Sequence, residues 1–243
     1  MSMGYFVTGT DTGVGKTWVS AYLVAHARSR GANAAYMKPV QTGCTANRDG
    51  TLLAPDVEFV HAVSGITPAP DLQEWVCPYR FSLAASPHLA AAEAGQRIDL
   101  HRIQEAYNRL AERHAPIIVE GAGGLCVPLS EEESILDLIH LLDLPVVLVC
   151  RPGLGTLNHT QLTLRVLKEE SIPVAGWMTV STNDAPWTVI EEDNRRVLRE
   201  RSGVPYWGHL SYGPVQASAA DVARFLLDQP PPPLSSGPHV EQE

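Results

Sequence analysis

Long hydrophobic runs are missing from this sequence. Even the apolar segment 144–150 has only the length of a strand, whereas a membrane-spanning helix needs about 18 or more apolar residues. The first apolar segment, residues 5–7, is too short for the core of a secretion signal, and polar residues follow it. We therefore expect a soluble protein of the cytoplasm.

Positive charge is also scarce. The chain has 18 Lys and Arg residues against 27 Asp and Glu residues, which gives a formal net charge of -9. A nucleic-acid or anionic membrane surface is bound by a broad basic face, and this charge balance disfavours such a face. We expect neither nucleic acid nor a membrane as a partner, and we expect any anionic ligand to be bound by a few local groups.

Cysteine is rare, and its spacing is uninformative. Cys44, Cys77, Cys126 and Cys150 lie far apart, without a Cys-x-x-Cys pair or a neighbouring pair of histidines. Disulfide frameworks and zinc sites depend on such spacings. The sequence therefore predicts four reduced thiols.

The overall composition is that of a globular protein. Hydrophobic residues make up 44% and charged residues 19% of the 243 residues, which is far from the composition of disordered chains. We expect one domain over residues 1–228. Residues 229–243 begin with a run of prolines and continue with Ser, Gly and acidic residues, which predicts a disordered tail.

Short apolar runs alternate with segments of helical periodicity. The apolar runs are residues 5–7, 34–37, 116–119, 145–150 and 174–180. The segments with apolar residues three or four apart are residues 16–30, 86–94, 99–113, 157–170, 187–201 and 216–227. This alternation predicts an α/β fold with a doubly wound, mostly parallel sheet flanked by helices. Ligands of such sheets bind beyond the carboxyl ends of the strands.

The first of these strand ends carries a glycine-rich loop. Gly15-Lys16-Thr17 matches the end of the phosphate-binding pattern G-x-x-x-x-G-K-[ST], but the first glycine of the pattern would fall at Thr10, and Gly9 is one residue early. A strand, such a loop and a helix aim backbone N–H groups at phosphate, and the Lys and Thr reach the terminal phosphates and a metal. The sequence predicts a lengthened phosphate loop of the P-loop NTPase type; an ordinary strand-to-helix turn is the alternative.

Two further polar residues follow the second strand. Lys38 stands at its end, before a loop rich in Pro and Gly. At the ligand edge of the sheet it would meet a second anion, whereas elsewhere a strand-end lysine is usually solvated. Asp56 follows Pro55 and is either a metal ligand or an ordinary acidic residue in the first turn of a helix.

A carboxylate ends the third apolar run. Glu120 follows four apolar residues and precedes Gly121-Ala122-Gly123-Gly124. Magnesium prefers a few hard oxygen ligands together with phosphate and water, so Thr17, Glu120 and Asp56 are candidate ligands. The alternative for Glu120 is a surface residue that begins a turn.

The fourth apolar run is followed by a glycine-containing loop and an amphipathic helix. Exposed N–H groups at the start of this helix would bind a carboxylate; alternatively, Thr156 simply caps the helix. His159 has no second ligand nearby in the sequence and is expected to be structural.

Together these segments resemble the dethiobiotin synthetase family, over about residues 5–210. The resemblance is carried by Tyr5-Phe6-Val7-Thr8-Gly9-Thr10-Asp11-Thr12, Val14-Gly15-Lys16-Thr17, Lys38-Pro39-Val40, Ser86-Pro87-His88, Val119-Glu120-Gly121-Ala122-Gly123-Gly124, and Leu154-Gly155 with Asn158-His159. The lengthened phosphate loop is the form that this family has.

The resemblance implies a ligase of biotin biosynthesis that closes the ureido ring of diaminopelargonic acid with carbon dioxide, a nucleoside triphosphate and Mg²⁺. A carbamate attacks the γ-phosphate, and the second amine then displaces phosphate from the mixed carbamic-phosphoric anhydride. Lys16 would act on the transferred phosphoryl group. Lys38 and Thr12 would hold the carbamate with help from Thr42. The resemblance assigns the nucleotide to Gly13, Val14, Gly15, Lys16, Thr17, Glu120, Gly121 and Gly123.

The resemblance also implies a homodimer whose substrate site is shared between subunits. The substrate carboxylate would be bound by the helix start at Leu154, Gly155 and Asn158 of the partner subunit. The metal ligands would be Thr17, Asp56 and Glu120.

Two other functions fit a P-loop protein of this size. Amide-forming P-loop ligases of the cobyrinic acid type carry an added glutaminase domain, for which this chain offers no separate segment. Partition-type ATPase switches usually have another lysine early in the phosphate loop, where this chain has Thr10 and Asp11.

The chain departs from the family at the place where an asparagine often reads adenine. Val180 occupies that place, and Ser181 or Asn183 would substitute only if the loop is re-registered. A missing hydrogen-bonding pair removes discrimination as well as affinity. We therefore expect activity with CTP or GTP beside ATP.

Overall fold

The computed structural model describes residues 4–211 and residue 213. The predicted helix 216–227 and the predicted tail 229–243 lie outside these residues. Within them, no helix combines the length and the apolar character that are needed to cross a bilayer.

Ten strands form one large and two small sheets. In chain order the strands are β1 (Gly4–Gly9), β2 (Ala35–Met37), β3 (Val40–Gln41), β4 (Thr45–Ala46), β5 (Leu52–Leu53), β6 (Tyr79–Arg80), β7 (Ile117–Glu120), β8 (Val146–Cys150), β9 (Val174–Val180) and β10 (Tyr206–Leu210). The large sheet has the order β10-β9-β8-β1-β7-β2 and all its neighbours are parallel. Every residue of β1, β7 and β8 is buried, which explains why these strands are apolar on both faces.

Eight helices accompany the strands in the described part of the chain. They are α1 (Lys16–Ser29), α2 (Pro55–Ser64), α3 (Gln73–Val76), α4 (Pro87–Glu93), α5 (Leu100–Ala111), α6 (Ile135–Leu142), α7 (Thr156–Glu169) and α8 (Val189–Arg201). The sequence predicted α1, α4, α5, α7 and α8 with ends within two residues of these bounds. It did not predict α2, α3 and α6 or the strand β10.

The missed elements have weak sequence signals. The helix α6 reads ILDLIHLL and is short and mostly apolar, so its sequence is hard to distinguish from that of a buried strand. Its start is fixed instead by a capping box, in which the Ser134 hydroxyl accepts from the Leu136 N–H and Asp137 accepts from the Ser134 N–H. In β10 the apolar run is interrupted by Gly208 and His209.

The order of the strands creates a crevice beside β1. The chain passes from β1 to β2 and β7 on one side of β1, and then to β8, β9 and β10 on the other side. Such a reversal leaves room for a ligand beyond the carboxyl ends of the strands. The phosphate loop follows β1 and therefore lies at this reversal.

Candidate functional site

A cavity of about 1030 Å³ opens at the carboxyl edge of the large sheet. It is bounded by the loop between β1 and α1, by the residues after β2, β7 and β9, and by the first turns of α2 and α4. Its lining residues include Thr12, Gly13, Gly15, Lys16, Thr17, Lys38, Gln41, Thr42, Asp56, Ser86, Glu120, Gly123, Val180 and Ser181.

The phosphate loop has the shape that its glycines permit. Gly13 and Gly15 have φ values of 72° and 98°, in the left-handed region where a side chain is disfavoured. A Cβ added at Gly9 would lie 2.6 Å from Val14 Cγ2, so the side chain of Val14 turns inward over Gly9. The lengthened loop is therefore closely packed where Val14 meets Gly9.

Lys16 projects from the first turn of α1 into the cavity. Its Nζ donates to the backbone carbonyl of Asp11, at 2.9 Å. Burial, followed by the positive charge of Lys38, lowers the pKa of Lys16 to about 8. Two lysines that face one cavity repel each other, and an anion between them would relieve the repulsion.

Lys38 is buried between two carboxylates. Its Nζ lies 2.7 Å from Asp56 Oδ2 and 2.7 Å from Glu120 Oε1. Burial lowers the pKa of Lys38, but the charges of Glu120 and then Asp56 outweigh it, so that the pKa is raised overall. Lys38 is therefore an ammonium ion held at the edge of the cavity, and Asp56 is a member of this cluster as well as a first-turn residue of α2.

Glu120 is also held by two hydroxyl groups. Its Oε1 accepts from Thr17 Oγ1 at 3.0 Å, and its Oε2 accepts from the Tyr36 hydroxyl at 2.8 Å. Burial and the charge of Glu120 raise the pKa of Tyr36 well above its usual value, so the phenol remains a donor. Tyr36 was not predicted from the sequence, although residues 36 and 38 share one face of an extended chain.

Thr17, Asp56 and Glu120 offer the hard oxygen atoms that suit magnesium. Thr17 and Glu120 are in direct contact, and Asp56 and Glu120 converge on the same lysine nitrogen. Between residues 4 and 211, no three His, Cys, Asp or Glu side chains form a metal cluster on their own. The donor set therefore fits a magnesium ion whose remaining ligands are phosphate and water.

Some of the predicted ligand residues lie behind the cavity or away from it. Val14 is buried against Gly9, and a Cβ at Gly121 would lie 2.9 Å from the Phe6 ring. The expected carboxylate-binding residues Leu154, Gly155 and Asn158 are exposed at the start of α7, and the Leu154 side chain is 85% exposed. None of these three is among the described residues that line the cavity beside Lys38.

The start of α7 corrects one alternative from the sequence. Thr156 does not cap this helix, because Gly155 occupies the cap position without a side-chain hydrogen bond. Thr156 is instead buried, and its hydroxyl is 3.2 Å from that of Thr160. The first N–H groups of α7 therefore have no side-chain cap of their own.

The strand β9 ends at Val180, which lies against the phosphate loop. Val180 is buried, and a Cβ added at Gly15 would lie 2.7 Å from Val180 Cγ1. Ser181 follows in the cavity wall. Asn183 is engaged in a local turn, where its Oδ1 accepts from the Ala185 N–H at 3.1 Å.

Comparison with known proteins identifies the family of the chain. The family model described as "AAA domain" matches residues 3–219. A protein from Xylella fastidiosa (strain 9a5c), named ATP-dependent dethiobiotin synthetase BioD, is 39% identical over 225 residues, which are 93% of this chain and 97% of the relative. Proteins of the same name from Anaeromyxobacter dehalogenans (strain 2CP-C) and Thermodesulfovibrio yellowstonii are 47% identical over 174 residues and 38% identical over 219 residues. The match to the Anaeromyxobacter protein covers 71% of this chain and 74% of the relative. The match to the Thermodesulfovibrio protein covers 87% of this chain and 90% of the relative.

Solved structures with the same fold are more distant in sequence. A ParA family ATPase from Chlorobium tepidum TLS gives a TM-score of 0.53 at 15% identity, over 93% of this chain and 91% of that one. The MinC:MinD cell division protein complex from Aquifex aeolicus gives a TM-score of 0.54 at 10% identity, over 95% of this chain and 98% of that one. At these identities the likeness concerns the fold alone, and the fold is that of P-loop NTPases.

Replacing Tyr36 by Phe tests how Glu120 is held. The variant removes one donor from a buried carboxylate, which should lower the free energy of unfolding by about 1–3 kcal/mol. It should also raise the magnesium concentration needed for tight nucleotide binding, because Glu120 is then less firmly oriented. Urea unfolding and calorimetric titration with ATP at several magnesium concentrations measure the two effects.

Tyr79→Phe is the matched control for this experiment. The buried Tyr79 hydroxyl accepts from the Asp99 N–H at 2.9 Å, so its loss should destabilise the protein without changing the magnesium requirement. An equal change of the magnesium requirement in both variants would contradict the role of Tyr36.

Proposed function

The chain belongs to the dethiobiotin synthetase family, and we propose that it closes the ureido ring of diaminopelargonic acid with carbon dioxide and a nucleoside triphosphate. It is an ATP-dependent ligase of biotin biosynthesis by the names of its relatives. The observation that carries the proposed reaction is the second buried lysine. Hydrolysis of a nucleoside triphosphate at a P-loop would need Lys16 alone. Lys38 is a second cation, which would bind a second anion beside the triphosphate.

Charge accounts for the proposed division of work between the lysines. A carbamate and a γ-phosphate are both anions, and they repel each other unless positive charge lies close to each. Lys16 faces the end of the phosphate loop, and Lys38 faces the same cavity from the end of β2. We assign Lys16 to the phosphoryl group and Lys38 to the carbamate.

The remaining groups would orient the reactants. Thr12 and Thr42 lie in the cavity wall, where their hydroxyls would bind the carbamate and the diamine. Thr17, Asp56 and Glu120 would hold magnesium, which when bound neutralises part of the triphosphate charge. Lys38 would then exchange its carboxylate partners for the carbamate oxygen.

The reaction is proposed to proceed in three steps. One amine adds to carbon dioxide and loses a proton, which gives the carbamate. A carbamate oxygen attacks the γ-phosphorus, and the nucleoside diphosphate leaves. The second amine attacks the carbonyl carbon of the mixed anhydride, phosphate leaves, and the ring closes. Most of the acceleration comes from positioning and charge neutralisation.

A partner subunit is proposed to complete the site. Leu154, Gly155 and Asn158 surround an uncapped helix start that faces away from the chain. Backbone N–H groups at such a start bind carboxylates. In a homodimer this helix start would bind the substrate carboxylate in the cavity of the other subunit.

Phosphate release tests the proposed reaction against an ATPase switch. Purified protein with magnesium, bicarbonate and ATP should release phosphate only when diaminopelargonic acid is added, with one dethiobiotin formed for each phosphate. A mass spectrometric assay for dethiobiotin run beside the phosphate assay checks this ratio. Phosphate release that ignores the diamine would favour the switch and would overturn the proposed function.

Lys38→Ala should lose turnover by a factor of about 100 or more, because the carbamate loses its cation. At saturating magnesium the variant should still bind ATP, since Lys16 and the loop are intact. The measurements are the initial rate of dethiobiotin formation and calorimetric titration with ATP. Lys38→Met, which keeps more of the buried volume, should behave in the same way. Lys168→Ala, on the exposed end of α7, is the control, and a Lys38→Ala rate equal to that of Lys168→Ala would refute the assignment.

Mixing two inactive variants tests the shared site. Asn158→Asp places a negative charge at the start of α7, where it would repel the substrate carboxylate, and Lys38→Ala damages the other half of the site. If each site is built from two subunits, random exchange should restore about a quarter of the native activity, because each mixed dimer has one intact site. A mixture that stays inactive after confirmed subunit exchange would show that each chain acts alone.

A further inference from the structure

The cavity has a second end, where β9 and β10 finish. Val180, Ser181 and Thr182 line it, and Ser211 and Gly213 follow β10 in the same wall. Lys38 and Glu120 lie beyond β2 and β7, on the opposite side of β1. Strands are about 4.8 Å apart, so β9 is about 10 Å from β1. A nucleotide whose terminal phosphate lies between the two lysines would therefore extend its base toward β9 and β10.

The first polar side chain at this end belongs to Ser181. Val180 packs over Gly15 and has no hydrogen-bonding group. Ser181 Oγ lies 3.3 Å from Trp187 Nε1 and 3.1 Å from His209 Nε2. An indole N–H is a donor only, so one lone pair of Ser181 is already used.

His209 links Ser181 to a longer chain of polar groups. Its Nδ1 lies 3.0 Å from Thr179 Oγ1, which in turn lies 3.0 Å from the Tyr206 hydroxyl. Burial lowers the pKa of His209 to about 4, so the imidazole is neutral near pH 7. A neutral imidazole donates from one nitrogen and accepts at the other, and each nitrogen of His209 has a hydroxyl partner that can do either.

The two tautomers of His209 give Ser181 opposite properties. With the proton on Nδ1, His209 donates to Thr179 and accepts the Ser181 hydrogen, which leaves Ser181 only a lone pair for a ligand. With the proton on Nε2, His209 donates to Ser181, whose own hydrogen is then free to be donated to a ligand. With the proton on Nε2, the four contacts use every hydrogen of these side chains except that of Ser181. With the proton on Nδ1, one hydroxyl hydrogen of Thr179 or Tyr206 needs a further acceptor, which the half-buried Tyr206 can find in water.

We propose that Ser181, directed by His209, is the contact to the exocyclic group of the nucleobase, and that it accepts from an amino group or donates to an oxo group. This inference rests on the proposed function only in that a triphosphate occupies the cavity. A side chain that can only donate, or only accept, would leave a buried polar group without a hydrogen bond when the wrong base is bound. Such a loss discriminates strongly between substrates. Ser181 instead adapts, so the protein tolerates both kinds of base.

Two nucleotide pairs that exchange an exocyclic amino group for an oxo group test the inference. ATP and ITP exchange 6-amino for 6-oxo, and CTP and UTP exchange 4-amino for 4-oxo; in the oxo member of each pair the neighbouring ring nitrogen also carries a hydrogen. Dissociation constants are measured by calorimetry with magnesium and without diaminopelargonic acid. In the native protein the members of each pair should bind within about tenfold of each other, and Ser181→Ala should weaken all four by about three- to tenfold, the loss of one hydrogen bond.

Thr179→Val tests the part played by the tautomer. It removes the hydroxyl beside Nδ1 and leaves the backbone carbonyl of residue 179, which is an acceptor only, as the partner of His209 there. The proton should therefore stay on Nδ1, and Ser181 should become an acceptor. We expect the ITP:ATP and UTP:CTP affinity ratios to fall by about fivefold or more, a difference within the range of one hydrogen bond. Tyr79→Phe is the control, because its hydroxyl accepts from the Asp99 N–H outside this group of side chains and its loss should leave both ratios unchanged.

The outcomes separate this inference from the proposed reaction. A native ratio above about 100 in either pair, about 2.7 kcal/mol, would overturn the inference. So would unchanged affinities in Ser181→Ala or unchanged ratios in Thr179→Val, provided that thermal unfolding shows both variants folded. These binding measurements do not use the diamine, so a failure of diamine-dependent turnover would overturn the reaction and leave the base contact standing.

Discussion

The buried ion cluster of Lys38, Asp56 and Glu120 is the constraint on which the rest of the site depends. A buried charge is tolerated only when it is paired and hydrogen-bonded, and the loss of one partner costs several kcal/mol. Lys38 follows β2, Asp56 begins α2 and Glu120 ends β7, so the cluster fixes three separate segments relative to each other. Thr17 and Tyr36 extend it to α1 and to the interior of β2.

The cluster also distinguishes the two lysines of the cavity. Its two carboxylates outweigh the charge of Lys38, whereas the Nζ of Lys16, within the described part of the chain, donates only to the carbonyl of Asp11 and has a lowered pKa. A phosphate would raise the pKa of Lys16 again, because an anion stabilises the ammonium form. The charge of Lys16 is therefore restored by the ligand, while that of Lys38 is maintained by the fold.

The predictable parts of this structure are those whose signal is local. The apolar runs of β1, β7 and β8 report burial between two helical layers, and Lys16 and Glu120 were found because a strand end and glycines surround each of them. Asp56 was ambiguous because its partner, Lys38, is distant in sequence. Tyr36 was missed because a buried tyrosine in a strand is ordinarily core, and only the carboxylate of β7 gives its hydroxyl a role. The strand β10 was not recognised because Gly208 and His209 interrupt its apolar run. His209 contacts Ser181 in the cavity wall.

Gly15 connects the phosphate end of the cavity to the base end. Its φ of 98° disfavours a side chain, and Val180 fills the space that a Cβ would need. The phosphate loop therefore rests on the residue that the family resemblance assigned to base reading. Since Val180 offers a surface for packing but no hydrogen bond, the loop keeps its shape whichever base is bound. Base recognition must then come from the next polar group, and the chain of Thr179, His209 and Ser181 lies one residue further along the same wall. In this arrangement a single strand-end position separates the phosphate loop, which packs on Val180, from the hydroxyl group of Ser181.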